Sequence, residues 1–228
     1  MLTLLPPDPT LPSAKSTRRR PHYYPGGATY VIGMRLAGSV TRPAIRRLRE
    51  LVRVYGRDIP PHLYWEATAE ERVGFRKLRA GLDSRRDLNG PFHLHHSEAC
   101  RRVLLEAVAF REGAHYETIA LSVMPNHVHW VVRHRSRELH MGELLYRLRK
   151  FTGRRSNEVL GLTGQPYWER EGYDHVVRTQ RELAAQVRYT LHNPVACRLC
   201  EHWADWPGNY LHPGWRTRDG RRGRVALG

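Results

Sequence analysis

Tyr116 to Met124 (YETIALSVM), then Pro125-Asn126, then His127 to Arg133 (HVHWVVR) is the stretch on which the fold turns. Both apolar runs are rich in β-branched residues, and the Pro-Asn pair between them is turn chemistry, so the segment reads as a β-hairpin. Side chains on a strand alternate between faces. His127 and His129 therefore project to one side, and Val128, Trp130 and Val132 to the other. Two imidazoles about 7 Å apart along a strand can reach one divalent ion, although the same pair would also serve as polar residues on a solvated sheet face.

Outward from the hairpin the pattern alternates in type. Ala28 to Leu36 (ATYVIGMRL) is rich in β-formers and bounded by glycines, which predicts a strand. Thr41 caps a helix through Arg53, with Pro43 in its first turn and Ile45, Leu48, Leu51 and Val52 on one face. Another helix runs from Ser97 to Arg111, where Cys100, Val103, Leu104, Ala107 and Val108 keep helical spacing. Leu139 to Leu160 is amphipathic, with Leu144, Leu145, Leu148 and Phe151 inward and Arg147, Arg149, Lys150, Arg154 and Arg155 mostly outward. Tyr173 to Arg178 (YDHVVR) is extended. A last helix opens on a Thr179–Glu182 capping box and ends at His192-Asn193, because Pro194 disfavours α geometry in the residue before it. The order strand, helices, hairpin, helix, short strand, helix is α+β, and a ferredoxin-like antiparallel sheet with helices packed on one face accommodates it. A single domain is expected over 27–212, with an insertion near 54–91 that carries a weak helical pattern around Glu70 to Leu82. A flexible, proline-rich basic arm (1–26) precedes the domain, and a basic tail (213–228) follows it.

Composition narrows the function classes. The 228 residues carry 38 Lys plus Arg against 22 Asp plus Glu, a net charge of +16 that calls for a polyanionic partner. Only Lys15, Lys77 and Lys150 are lysine, so nearly all the positive charge sits on guanidinium groups that can fork onto phosphate. With 40% hydrophobic residues the chain can fill a core. No apolar run approaches the roughly 18 residues of a membrane span, and prolines interrupt the N-terminus where a signal peptide needs continuity, so no membrane association and a cytoplasmic location are expected. Cys100, Cys197 and Cys200 give no disulfide framework, in keeping with a reducing compartment.

Three further groups of residues could carry chemistry. Tyr189 and Asn193 stand four apart and so lie one above the other on a helix, where a tyrosine hydroxyl can act as a covalent nucleophile if it is activated. By itself the pair also reads as a packed tyrosine and a helix-stop asparagine. Tyr173, beside Asp174 and His175, is a rival nucleophile of nearly equal merit on spacing alone. Cys197 and Cys200 with His202 form a fragment of a zinc site that lacks a fourth ligand.

Val123 to Val132 (VMPNHVHWVV), Trp168 to Glu171 (WERE), Tyr173 to Arg178 (YDHVVR) and Tyr189 to Val195 (YTLHNPV) together resemble the REP-associated tyrosine transposases, a branch of the single-tyrosine HUH transposases. Pro25 to Ser39 (PGGATYVIGMRLAGS) resembles the first strand of that family, and the likeness spans about residues 25–210. The resemblance implies the HUH endonuclease fold and a prokaryotic host. It implies His127 and His129 as the pair that holds Mg²⁺ or Mn²⁺, Asn193 as a third, amide-bearing ligand, and Tyr189 as the nucleophile, favoured over Tyr173, that keeps the 5′ side of cleaved single-stranded DNA. The partner implied is single-stranded or hairpin DNA, and a homo-oligomer is compatible with the pattern. Phosphate contacts are expected from Arg18, Arg19 and Arg20 of the arm, from Arg147, Arg149, Lys150 and Arg154, and from Arg178. Gly33 departs from the family, which commonly has a polar residue at that strand position. A non-catalytic DNA-binding protein on the same scaffold is the alternative, and an RNA-directed role is weaker because nothing here recognises a 2′-hydroxyl.

Overall fold

The computed structural model describes residues 2–16, 22–39, 42–56, 67–75, 97–170 and 172–215. Arg18 to Arg20, most of the 54–91 segment and the tail beyond residue 215 lie outside them. The hairpin forms as the alternation predicts. Strands β4 (Tyr116–Val123) and β5 (His127–His134) pair antiparallel, and Met124 N–H donates to the His127 carbonyl at 2.8 Å across Pro125-Asn126. Strand β5 is central in a five-stranded antiparallel sheet. Its neighbours are β3 (Thr29–Arg35) and β4, outside which lie β6 (Tyr173–Val176) and β7 (Asn209–Leu211) respectively. Leaving out β7, the strands in chain order are arranged fourth, first, third, second, which is the ferredoxin-like order.

Period-two alternation gives the sheet two different cores. On one face Tyr30, Ile32, Met34, Val128, Trp130 and Val132 pack against Leu104 and Val108 of α2 (Glu98–Ala109) and Leu144 and Leu148 of α3 (Met141–Leu160). The Tyr116 ring stands edge-on to Trp130 with centroids 4.9 Å apart, and its hydroxyl donates to the Val108 carbonyl, tying sheet to helix. Helix α1 (Arg42–Tyr55) and a short helical run over 69–75 come between β3 and α2 in the chain.

Helices packed on one face describes α2 and α3 but not the last helix. Helix α4 (Gln180–Ala196) lies on the opposite face, where Leu183, Val187 and Leu191 bury Val31, Val131, Ile119 and Ala120. The physical reason is legible in β4: a register shift between Thr118 and Ala120 turns both Ile119 and Ala120 to this second core, so the strand is apolar on both sides and needs a cover on each.

Helix α4 runs through Pro194 to Ala196 instead of stopping before it. Proline removes one N–H in the final turn but leaves its carbonyl free, and Leu199 N–H donates to it at 2.9 Å. The chain turns instead at Arg198, whose φ of +57° breaks the helical path. At the other end Thr179 caps the helix, but the Glu182 carboxylate accepts from Arg178 N–H and approaches His175 Nε2 at 2.6 Å.

The N-terminal segment is not free over its described part. Ala14–Ser16 and His22–Tyr24 pair as the small hairpin β1–β2, Leu2 and Leu4 pack on the second core, and Arg133 donates to the Thr3 carbonyl at 2.6 Å. Prolines and the lack of a periodic apolar pattern marked this stretch as an arm, but the paired strands fall between the prolines and Leu2 and Leu4 still dock.

Candidate functional site

At the far end of the second core the apolar packing gives way to polar groups. His127 is almost fully buried, and its Nδ1 lies 2.7 Å from Asn126 Oδ1. An amide oxygen only accepts, so Nδ1 carries the proton and the Nε2 lone pair of His127 points along the sheet face. That nitrogen is 3.0 Å from His129 Nε2, and the two rings stand edge-on with centroids 4.7 Å apart. Helix α4 closes the group from above. Asn193 Nδ2 sits 2.8 Å from His129 Nε2, and the Tyr189 ring stands edge-on to His129 at 5.2 Å. The four-residue spacing of Tyr189 and Asn193 thus delivers both side chains to one imidazole.

His129 Nε2 has two nitrogen neighbours at hydrogen-bond distance. A neutral imidazole nitrogen either donates or accepts, yet His129 Nε2 faces the His127 lone pair on one side and an Asn193 N–H on the other. Turning the Asn193 amide over would exchange that N–H for Oδ1, to which Cys197 Sγ otherwise donates at 3.4 Å. Two imidazole nitrogens and one amide oxygen would then offer lone pairs to a common point. Among the described residues no group of three or more His, Cys, Asp or Glu side chains gathers. Cys197, Cys200 and His202 assemble no such group. His202 instead caps a short 3₁₀ turn at Trp203–Asp205.

Other residues on this face could be found only from strand register. Arg35 is paired with His127 and Gly33 with His129 across β3–β5, so both lie on the histidine side. Glu169, whose N–H donates to the Arg35 carbonyl at 2.8 Å, continues the row beyond Arg35. Burial pushes the Glu169 carboxyl up from its ordinary range, while Arg35 and Arg149 pull it down. The alternation of β3 alone, with Tyr30, Ile32 and Met34 apolar, marks Val31, Gly33 and Arg35 as the other face, but the partner of each is set by pairing.

The expected phosphate contacts divide. Arg147, Lys150 and Arg154 lie on the exposed side of α3, where Arg147 pairs with Glu143 at 2.7 Å, Arg154 with Glu158 at 3.7 Å, and Lys150 lies over the Tyr146 ring. Arg178 is exposed at the start of α4. Arg149 is half-buried and donates to the Glu169 carbonyl, so it fastens the chain beside the site instead of facing outward. Phe151 faces outward, because the buried stripe runs through Leu144, Leu145, Leu148, Thr152 and Ser156. Arg18, Arg19 and Arg20 are outside the described residues. Tyr173, the rival nucleophile, is on the same sheet face as His129 but two strands away, with β3 between.

The chain is similar to a REP-associated tyrosine transposase. That curated relative, from Haemophilus influenzae (strain ATCC 51907 / DSM 11121 / KW20 / Rd), is 26% identical over 105 residues, which is 42% of this chain and 60% of the relative. The match therefore spans about three-fifths of the relative's length. A solved structure of a REP-associated tyrosine transposase bound to a REP hairpin aligns with 92% of this chain and 99% of its own, at 15% identity and a TM-score of 0.49. No protein-family model matches the chain. Among the described residues no helix is long and apolar enough to cross a membrane.

Proposed function

We propose that the protein is a metal-dependent single-stranded DNA endonuclease and transposase that cleaves and rejoins DNA at hairpin-bearing sites through a covalent 5′-phosphotyrosine. The observation that carries the reading is the convergence of His127, His129, Tyr189 and Asn193 at one end of the sheet, with Tyr189 and Asn193 both against His129. The likeness to a bacterial transposase supports the same class and a prokaryotic, cytoplasmic setting.

His127, His129 and Asn193 would hold Mg²⁺ or Mn²⁺, and a divalent ion there supplies Lewis-acid polarisation of a non-bridging phosphate oxygen. Asn126 keeps His127 in the tautomer whose Nε2 offers its lone pair. The Tyr189 oxygen attacks phosphorus in line, forming the O–P bond to the 5′ side as the P–O3′ bond breaks. Tyr189 loses its proton and the departing 3′-oxygen gains one. The product is still a phosphodiester, so a 3′-hydroxyl can reverse the step and rejoin the strand. The basic face of α3 and Arg178 would hold flanking phosphates. A pure binding protein would have no use for two imidazoles, an amide and a phenol gathered at one point.

Incubation of the chain with labelled single-stranded hairpin DNA and Mn²⁺ tests the reading. A covalent protein–DNA adduct is expected. Tight hairpin binding with no adduct under any divalent ion would favour the non-catalytic alternative.

A further inference from the structure

One row of residues across the sheet runs from His129 to groups that the chemistry above does not use. Gly33 is paired with His129 on β5 and with Tyr173 on β6, so Tyr173, Gly33 and His129 follow one another across the same face. Strands lie about 4.8 Å apart, which puts roughly 10 Å between the backbones that carry Tyr173 and His129. The residue between them in the row, Gly33, carries no side chain of its own. Gly33 and Arg35 are the two residues of β3 that are not buried, so the cover that α4 provides over Val31 does not extend over the glycine.

A glycine inside a central strand weakens it and often marks close approach by a ligand or another backbone. Here a Cβ at Gly33 would come within 3.3 Å of Tyr173 Cβ and 3.9 Å of its Cδ1, so the Tyr173 side chain leans over the bare backbone. Gly172 adds to this: a Cβ there would lie 3.1 Å from the Gly33 carbonyl oxygen, so the two glycines let β6 begin tight against β3. The Tyr173 ring nonetheless remains 37% exposed. On the other side of Gly33 in the row stands His129, with the Tyr189 ring edge-on to it.

We propose that the exposed face of the Tyr173 ring, seated on the bare backbone of Gly33, is the wall of a stacking slot for one unpaired nucleobase, next to the scissile position. The proposal rests on the reading of the chain as a single-stranded DNA enzyme and adds to it a subsite and the type of ligand it takes. An aromatic face accepts any base, so the slot contributes affinity and placement while remaining tolerant of sequence. Tyr173 is then a positioning residue: a base held on its ring sets the neighbouring phosphate over His129 and Tyr189.

The test uses the full chain carrying Tyr189→Phe, with Mg²⁺, so that DNA stays intact. The probe is a DNA hairpin with a single-stranded extension on each side of its stem and 2-aminopurine at one extension position at a time. Fluorescence quenching is expected at one position, retained with Tyr173→Phe and lost with Tyr173→Leu. Gly33→Val pushes the Tyr173 side chain off its seat and should give the same loss with Tyr173 intact. Affinity should fall on the order of 5- to 100-fold in either variant. An abasic sugar at the quenched position should bring the parent to that level and cost Tyr173→Leu nothing more. Quenching that survives Tyr173→Leu, an equal loss on blunt hairpins without extensions, or a covalent adduct mapped to Tyr173 in the chain with Tyr189 intact would overturn the slot while leaving hairpin binding in place. Failure of the parent to bind any DNA would overturn the slot and the functional reading together.

Discussion

The two faces of β5 differ in kind, although they come from the same eight residues. The face toward α2 and α3 carries Val128, Trp130 and Val132 and ends on His134, whose two nitrogens are both held by backbone: Gly27 N–H donates to Nδ1 at 3.0 Å and Nε2 donates to the Leu139 carbonyl at 2.7 Å. The face toward α4 carries Val131 in a core but places His127 and His129 where that core stops, against side chains of another element. A histidine satisfied by backbone is part of the structure. Histidines that meet each other where a core ends, beside an amide and a phenol, are suited to an added ligand. Substitutions on the two faces should therefore fail in different ways.

The largest effect belongs to the α4 face. Tyr189→Phe is expected to abolish adduct formation while hairpin binding stays within a few-fold, since one hydroxyl is removed and the ring's packing against His129 is kept. Loss of the adduct with Tyr173→Phe and its persistence with Tyr189→Phe would reverse the assignment. His127→Ala and His129→Ala should each reduce divalent-ion-dependent cleavage by orders of magnitude and leave the melting transition cooperative. Full-rate cleavage by the unmodified chain in excess chelator would remove the metal from the mechanism.

On the opposite face, Trp130→Ala should act through stability. It removes a fully buried indole that packs on Tyr116 and donates to Thr118 Oγ1, at a cost of about 3–5 kcal/mol, measurable as a lowered urea midpoint. A midpoint unchanged by this substitution, or a folded variant that has lost only activity, would break the distinction between faces.

A smaller effect is expected from His134. Burial holds its pKa below the ordinary 6.5, so the unfolded chain binds the extra proton first. Its contribution is fully present above pH 6.5 and is lost as pH falls toward the lowered folded value, because protonating Nδ1 also ends its bond from Gly27 N–H. Urea midpoints from pH 8 to 5 should fall more steeply for the unmodified chain than for His134→Gln, and parallel curves would exclude His134 as a cause.

The smallest and most distributed effect is that of the outer charges. Replacing Arg147, Lys150 and Arg154 together by Ala should flatten the salt dependence of hairpin binding by roughly 0.7 to 0.9 in log K per log salt for each phosphate that is no longer neutralised, so by at most about 2 to 3. Superimposable salt slopes would place the phosphate contacts elsewhere. Cleavage at saturating DNA should be unaffected.

Much of this was legible in the chain as a string of residues. The hairpin, the strand at Ala28 to Leu36, the four named helices and the shared face of His127 and His129 all follow from period-two or period-3.6 alternation, which is local and survives in the sequence. The helix spacing of Tyr189 and Asn193 was equally local. Assigning the two residues to cleavage needed the family likeness, because a phenol and an amide one turn apart have no chemistry of their own. Only the tertiary structure decided that α4 covers the second face, that Pro194 is accommodated inside that helix, that Arg149 turns inward to Glu169, and that Arg35, Gly33 and Tyr173 share the histidine face. The last of these depends on which strand lies beside which, and in what register. Pairing joins residues far apart in the chain: a shift by one position would send Arg35 and Gly33 to the opposite side, and nothing local to either residue records which side was chosen.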